Sequence, residues 1–361
     1  MYGNKYCEGT KKMKLLNILQ DALRQGASDI FIVSGTAIGY RISGKIVRVN
    51  NDFLTPEDTK YLISQIFEFA GYEFGAVDDN MEYDFSFSIT GIGRFRTNVY
   101  KQRGSFAAVL RNVMYEIPDY RVLHIPEAIM NLADTKKGIV LITGSAGSGK
   151  STTLTCMIDR INERRQGHII TIEDPIEFLH RHKNCIISQR EINIDTANYI
   201  QSLRAALRQS PDVILLGEMR DYDTMQIAMT AAETGQFILS TLHTIGAANT
   251  IDRIIDVFPS SQHHQIRVQL SMVLQAVVSQ QLIPTRNGGL IPAFEIMKVN
   301  NAIRTMIREQ KTHQIDTIIQ SSEDMQTMDS DILRLYKDGI IDRENAINYS
   351  TNSEVMRKRL G

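Results

Sequence analysis

The stretch that most constrains this chain is residues 138–158, GIVLITGSAGSGKSTTLTCMI. Residues 139–143 form a short apolar run that reads as a buried strand. Gly144, Ser145, Ala146, Gly147, Ser148, Gly149, Lys150 and Ser151 follow and fit the pattern G-x-x-x-x-G-K-[ST]. Thr152 continues into a helical pattern that puts Leu154, Met157, Ile158 and Ile161 on one face. The spacing has a physical reason. Glycines let the backbone curl until successive N–H groups point at phosphate oxygens, and the helix beginning there adds its positive end. Lys150 can neutralise β- and γ-phosphates, and the Ser151 hydroxyl can ligate Mg²⁺. A strand before and a helix after are the context that separates such a loop from a mere glycine turn. The motif therefore implies binding of ATP or GTP.

The remaining composition narrows the setting. The chain has 361 residues, a length that fits about two domains, and 43% apolar residues, ordinary for a folded core. A net charge of −1 gives no electrostatic case for nucleic acid as a partner. No apolar run approaches the ~18 residues of a membrane span, and MYGNKYCEGTKKMK lacks the apolar centre of a secretory signal. Cys7, Cys156 and Cys185 lie far apart, which argues for a reducing compartment and against a disulfide framework or a zinc site. The expectation is a cytoplasmic protein.

Two regions differ in pattern. Residues 1–113 read as a small α+β domain. Helices are expected over 13–25, closed by Gly26, and from Thr55 as N-cap with Asp58 at N3 to about Gly71. Strands surround Gly35 and Gly44, a hairpin spans 81–99 with its turn at Gly91 and Gly93, and another strand follows Gly104. Residues 114–125, with Pro118, read as an interdomain linker, and 126–361 as an α/β domain ending in helices. In that domain strands at 138–143, 168–172, 213–216 and 237–241 alternate with helices at 150–164, 196–208 and 222–234, which indicates a parallel sheet. From about 262 onward the pattern reads as helical: 262–280, 299–309, 312–321, 328–338 and 342–348.

Three strand ends carry candidate chemistry, because ligands of open α/β sheets sit beyond the carboxyl ends of the strands. IITIEDPIEF places Glu173, Asp174 and Glu177 there. PDVILLGEMRD ends in Glu218, which can hold Mg²⁺ through water or polarise an attacking water, whereas Asp212 before the strand reads as a cap. FILSTLH presents His243, open between a satisfied structural histidine and a γ-phosphate sensor. His180, His182, His263 and His264 have no partners at metal-ligand spacing and read as surface. Arg94, Arg96, Arg103 and Arg111 flank the strands of the first region. They are either a solvated basic edge or arginine fingers for a neighbouring subunit's nucleotide.

Together these motifs resemble those of the secretion and type IV pilus ATPase superfamily, specifically the PilT-type pilus retraction ATPases. GSAGSGKSTTL resembles their Walker A, IITIEDPIEF their Asp box, PDVILLGEMRD their Walker B and AAETGQFILSTLHTIGAANTIDRIIDVFP their His box. The resemblance implies a PAS-like N-terminal domain followed by a RecA-like ATPase domain. It further implies a cytoplasmic homohexamer that uses ATP and Mg²⁺ at the inner face of the membrane, against an inner-membrane platform protein and without inserting. By the same resemblance Glu177 is the catalytic glutamate, Glu218 the Walker B glutamate, His243 the second His-box histidine, and Arg96 and Arg111 the arginines offered to nucleotide. Residues 302–307, AIRTMI, resemble an element associated with retraction. Their apolar stripe is expected at Ala302, Ile303, Met306 and Ile307, with Arg304 pointing away and exposed. Gln236 stands where the family usually has the first His-box histidine. Three scattered cysteines cannot build the four-cysteine zinc site typical of pilus assembly ATPases. The function implied is an ATPase that drives pilus retraction. The alternatives are an export ATPase of a type II/IV secretion system and a nucleotide-gated regulator with little turnover, against which Glu177 and Glu218 argue.

Overall fold

The computed structural model describes residues 14–42, 44–74, 82–113 and 116–361. Cys7, the first residue of the expected 81–99 hairpin and residues 114 and 115 of the expected linker lie outside them. The chain forms two compact units, Met1–Tyr115 and Glu116–Gly361.

The first unit contains α1 (Leu15–Arg24), β1 (Asp29–Ile32), β2 (Gly39–Ile42), β3 (Lys45–Arg48), α2 (Pro56–Ala70), β4 (Tyr83–Ile89), β5 (Gly93–Gln102) and β6 (Ser105–Val113). Its sheet runs β3-β2-β1-β6-β5-β4, and every neighbouring pair is antiparallel. Alternation along β5 buries Phe95, Thr97 and Val99 on one face, and Phe95 and Val99 share a core with Ile63, Ile66 and Phe67 of α2. The start of α2 is the capping box expected at Thr55 and Asp58, and its end is Gly71 in the left-handed conformation.

The second unit contains α3 (Glu127–Met130), β7 (Gly138–Thr143), α4 (Lys150–Arg164), β8 (His168–Glu173), β9 (Ile186–Glu191), α5 (Tyr199–Ala206), β10 (Val213–Leu216), α6 (Tyr222–Glu233) and β11 (Phe237–Leu242). It continues with α7 (Ala247–Asp256), α8 (His263–Val273), β12 (Leu274–Pro284), β13 (Leu290–Lys298), α9 (Asn301–Arg308), α10 (Ile315–Ser321), α11 (Met328–Lys337), α12 (Arg343–Asn348) and α13 (Ser353–Leu360). The sheet order is β13-β12-β7-β11-β10-β8-β9, parallel except for the β12–β13 hairpin. Strands β7, β10 and β11 are buried along their whole length, as expected for a parallel sheet covered on both faces.

The helical expectation for 262–280 is wrong in its second half. Helix α8 ends at Val273, and β12 begins at the next residue, parallel to β7. The run LQAVVSQQLI is buried on both faces, and periodicity alone does not separate such a strand from a buried helix. The β-branched pair Val277 and Val278 was the local signal for a strand. Strands β9 and β13 and helix α13 were likewise not anticipated.

Helix α9 corrects the reading of AIRTMI. Ile303 and Ile307 are fully buried and Met306 packs partly, but Ala302, in the first turn, is exposed. Arg304 is off the stripe yet engaged: its Nη1 donates to the carbonyls of Ser271 and Met272, the latter at 3.0 Å, at the C-terminal end of α8. A cation there satisfies orphan carbonyls and complements the helix dipole. Arg304→Ala is therefore expected to cost about 1 kcal/mol, near the usual net worth of a hydrogen bond, and to lower the melting temperature by about 2 °C or more. A thermal melt indistinguishable from the parent protein would show that the helix end does not need this side chain.

Candidate functional site

The loop between β7 and α4 is shaped by its glycines. Gly144, Gly147 and Gly149 have φ of 140°, 76° and 87°, a region that side chains rarely adopt. Space is also limiting at two of them. A Cβ on Gly144 would lie 2.2 Å from the Gln280 carbonyl oxygen, and one on Gly149 would lie 2.8 Å from Gln280 Nε2. Lys150 opens α4 and is 7% exposed. Its Nζ donates to the carbonyls of Gly144 at 2.9 Å and Ser145 at 2.7 Å, which holds the ammonium over the loop. Burial lowers its pKa, while Glu218 and Glu177 raise it. The Ser148 Oγ is buried without a hydrogen-bond partner, and an orphan donor in such a loop fits a phosphate oxygen. Ser145, Ala146 and Ser151 are exposed, and Thr152 is half-buried.

The walls come from the carboxyl ends of neighbouring strands. A cavity of about 260 Å³ is lined by Lys150 and Ser151, by Glu173 at the end of β8 and Glu177 after it, by Glu218 and Arg220 after β10, and by His243 after β11. Glu218 is mostly buried. Its Oε2 lies 2.5 Å from Arg220 Nε and 3.5 Å from His243 Nε2. The Thr241 hydroxyl donates to the Gly217 carbonyl at 2.6 Å and fixes the turn beneath Glu218. Burial pushes the Glu173 carboxyl up to about 7. Bonds from Thr171 and Gln189 oppose the shift, and Glu177 and Glu191 add to it. Tyr199 of α5 closes the cavity with its hydroxyl against Gly217, where a Cβ would come within 2.9 Å of it. Burial, with Glu218, Asp174 and Glu173 beside it, keeps that phenol neutral.

The structure thus gathers the loop from Ala146 to Ser151 with Glu177, Glu218 and His243 in one cavity. Arg96 and Arg111 belong to the first unit. They face each other in the β5–β6 register and line a cavity of about 210 Å³ with Asp29 and Asp84. Arg111 Nε donates to Asp29 Oδ1 at 3.0 Å, and Arg41 Nε lies 3.2 Å from Asp29 Oδ2, so Arg111 is not a simply solvated cation. Asp212 accepts the backbone N–H of His168 at 2.8 Å, a structural bond. Gln236 precedes β11, roughly 20 Å along the strand from His243, and accepts the Thr234 hydroxyl. His180 is not the surface residue expected. It is half-buried, and burial, with Lys183 nearby, lowers its pKa to about 4.

Sequence reasoning missed Arg220, Tyr199 and Gln280. Arg220 stands two residues after Glu218 and could have been read from the motif. Tyr199 and Gln280 arrive through tertiary packing. Among the described residues, Cys156 and Cys185 are free and buried, no group of three or more His, Cys, Asp and Glu side chains could hold a metal, and no helix is long and apolar enough to cross a membrane. Mg²⁺ held by one or two protein oxygens plus phosphate needs no such cluster, and the Ser151 hydroxyl and Glu218 carboxylate supply suitable oxygens.

The family model described as "Type II/IV secretion system protein" matches residues 8–348. The type IV pilus retraction ATPase PilT of Pseudomonas aeruginosa is 42% identical over 337 residues, covering 92% of this chain and 97% of that protein. A twitching motility protein of Neisseria gonorrhoeae is 39% identical over 345 residues, covering 95% and 92% respectively. A crystal structure of the pilus retraction motor PilT with bound ADP superposes with a TM-score of 0.86 at 42% identity, over 96% of this chain and 99% of that one. The chain belongs to the type II/IV secretion system protein family, and within it to the PilT-type retraction ATPases.

Proposed function

We propose that this protein is a hexameric, Mg²⁺-dependent ATPase that drives type IV pilus retraction from the cytoplasmic face of the inner membrane, against a platform protein of the pilus machinery. The observation that carries the reading is the single cavity that joins the Lys150 loop to Glu177, Glu218 and His243, in a chain matched along nearly its whole length by a retraction ATPase.

In this reading backbone N–H groups of the loop other than those of Gly144 and Ser148, which donate to the carbonyls of Leu242 and Ser145, donate to phosphate oxygens together with the Ser148 hydroxyl, and the Lys150 ammonium neutralises charge at the β- and γ-phosphates. Glu177, exposed at the cavity wall, takes the proton of the attacking water. Glu218 holds Arg220 and His243 in place and, with the Ser151 hydroxyl, provides the oxygens for Mg²⁺, which when bound neutralises charge on the phosphates. His243, tied to the same Glu218 oxygen, reports the state of the γ-phosphate side. Arg96 and Arg111 reach the nucleotide of a neighbouring subunit. Residues 1–113 act as the PAS-like domain, 114–125 as the linker and 126–361 as the motor domain.

The test is genetic and biochemical together. A strain lacking the gene is expected to assemble pili but not twitch, and the purified protein is expected to hydrolyse ATP as a ring. Normal twitching with impaired protein export would replace retraction with export. Nucleotide binding with no turnover would replace the motor with a regulator.

A further inference from the structure

Strand β12 carries a residue that none of the phosphate-loop motifs contains, yet two glycines of that loop and the first turn of α4 lie against it. Gln280 lies one residue beyond Ser279, the last β12 position in register with β7, where Ser279 pairs with Thr143. Its side chain is 3% exposed. Gln280 Oε1 accepts the hydroxyl of Thr153 at 2.8 Å, in the first turn of α4. Its carbonyl oxygen occupies the space where Gly144 would carry a Cβ, and its Nε2 occupies that space at Gly149. The preceding residue adds two bonds: Ser279 Oγ shares a hydrogen bond with Thr143 Oγ1 at 2.8 Å and accepts the Gly246 N–H at 3.0 Å, three residues past His243. A strand that is not part of the loop therefore touches its entry, its end and the first turn of the helix that follows.

We infer that Gln280 is a positioning residue for nucleotide binding, which holds the phosphate loop in its binding shape through Thr153 and the two glycines. The reasoning is geometric. Backbone N–H groups aimed at phosphate bind well only if their orientation is set beforehand, because ordering the loop on binding costs entropy that a rigid loop has already lost. Among the described residues, the Thr153–Gln280 bond is the one side-chain hydrogen bond between α4's first turn and β12. Both partners are buried, so breaking it leaves the other unsatisfied. The inference rests on the reading of this cavity as a nucleotide site.

The experiment uses the full chain, with a fluorescent ATP analogue for binding and steady-state kinetics for turnover. Gln280→Met keeps the length and removes the acceptor. It is expected to raise the Kd and KM for ATP about tenfold, with the loss falling on KM rather than kcat. Thr153→Val should give a similar rise, Thr153→Ser should recover most of it, and the double variant Gln280→Met/Thr153→Val should be no worse than either single one. A merely structural role predicts the opposite split: a lower melting temperature and fewer active molecules at unchanged KM. Unchanged Kd in Gln280→Met, or additive losses in the double variant, overturns the inference while leaving the nucleotide site intact. Absence of ATP binding by the parent protein overturns the reading of the site itself.

Discussion

A Lys150→Ala protein is expected to fold and to lose ATP turnover by at least about 10²-fold, the scale for removing one preorganised group that stabilises transition-state charge. The side chain is nearly buried and is held by the carbonyls of Gly144 and Ser145. In so dry a position its attraction for phosphate is much stronger than in bulk water. The other cation lining the cavity, Arg220, is committed to Glu218 and mostly exposed, so it does not replace the lost ammonium. The measurement is steady-state phosphate release at saturating ATP, with a melting curve as the fold control. Turnover within about threefold of the parent protein would sink the assignment of this loop as the phosphate site.

Glu177→Gln is expected to leave ATP binding nearly intact and to slow hydrolysis about 10²-fold or more, the usual contribution of a general base. Glu218→Gln is expected to behave differently. Its carboxylate oxygen pairs with Arg220 and lies 3.5 Å from His243 Nε2, so losing the charge releases Arg220 beside the cavity and weakens binding as well as rate. Parallel ATP titrations and single-turnover rates on the two variants separate the roles. If Glu177→Gln hydrolyses normally and Glu218→Gln binds normally but does not hydrolyse, the assignments of base and metal-side carboxylate are reversed.

Much of the site was legible in the sequence because its demands are local. Glycines at 144, 147 and 149, a lysine at 150 and a hydroxyl at 151 follow one another along the chain, so the phosphate-binding pattern can be read from eight consecutive residues. Glu177, Glu218 and His243 were legible for a related reason: each follows an apolar strand, and a parallel sheet brings the carboxyl ends of its strands to one edge. The ends of α2 could also be read locally, because Thr55, Asp58 and Gly71 each satisfy a backbone group a few residues away.

What the tertiary structure alone decided is who stands next to whom across long separations. The strand β12 was hidden because a segment buried on both faces has lost the polar alternation that marks a strand, and only its pairing with β7 reveals it. Gln280 thereby meets Gly144 and Thr153, more than a hundred residues away in the chain. Arg304 looked free because helical spacing reports the face of its own helix and not the end of α8 that it caps. The upward shift of Glu173, the closure of the cavity by Tyr199 and the pairing of Arg111 with Asp29 have the same origin. Local stereochemistry is written residue by residue, whereas burial, charge pairing and close approach depend on which segments the fold packs together.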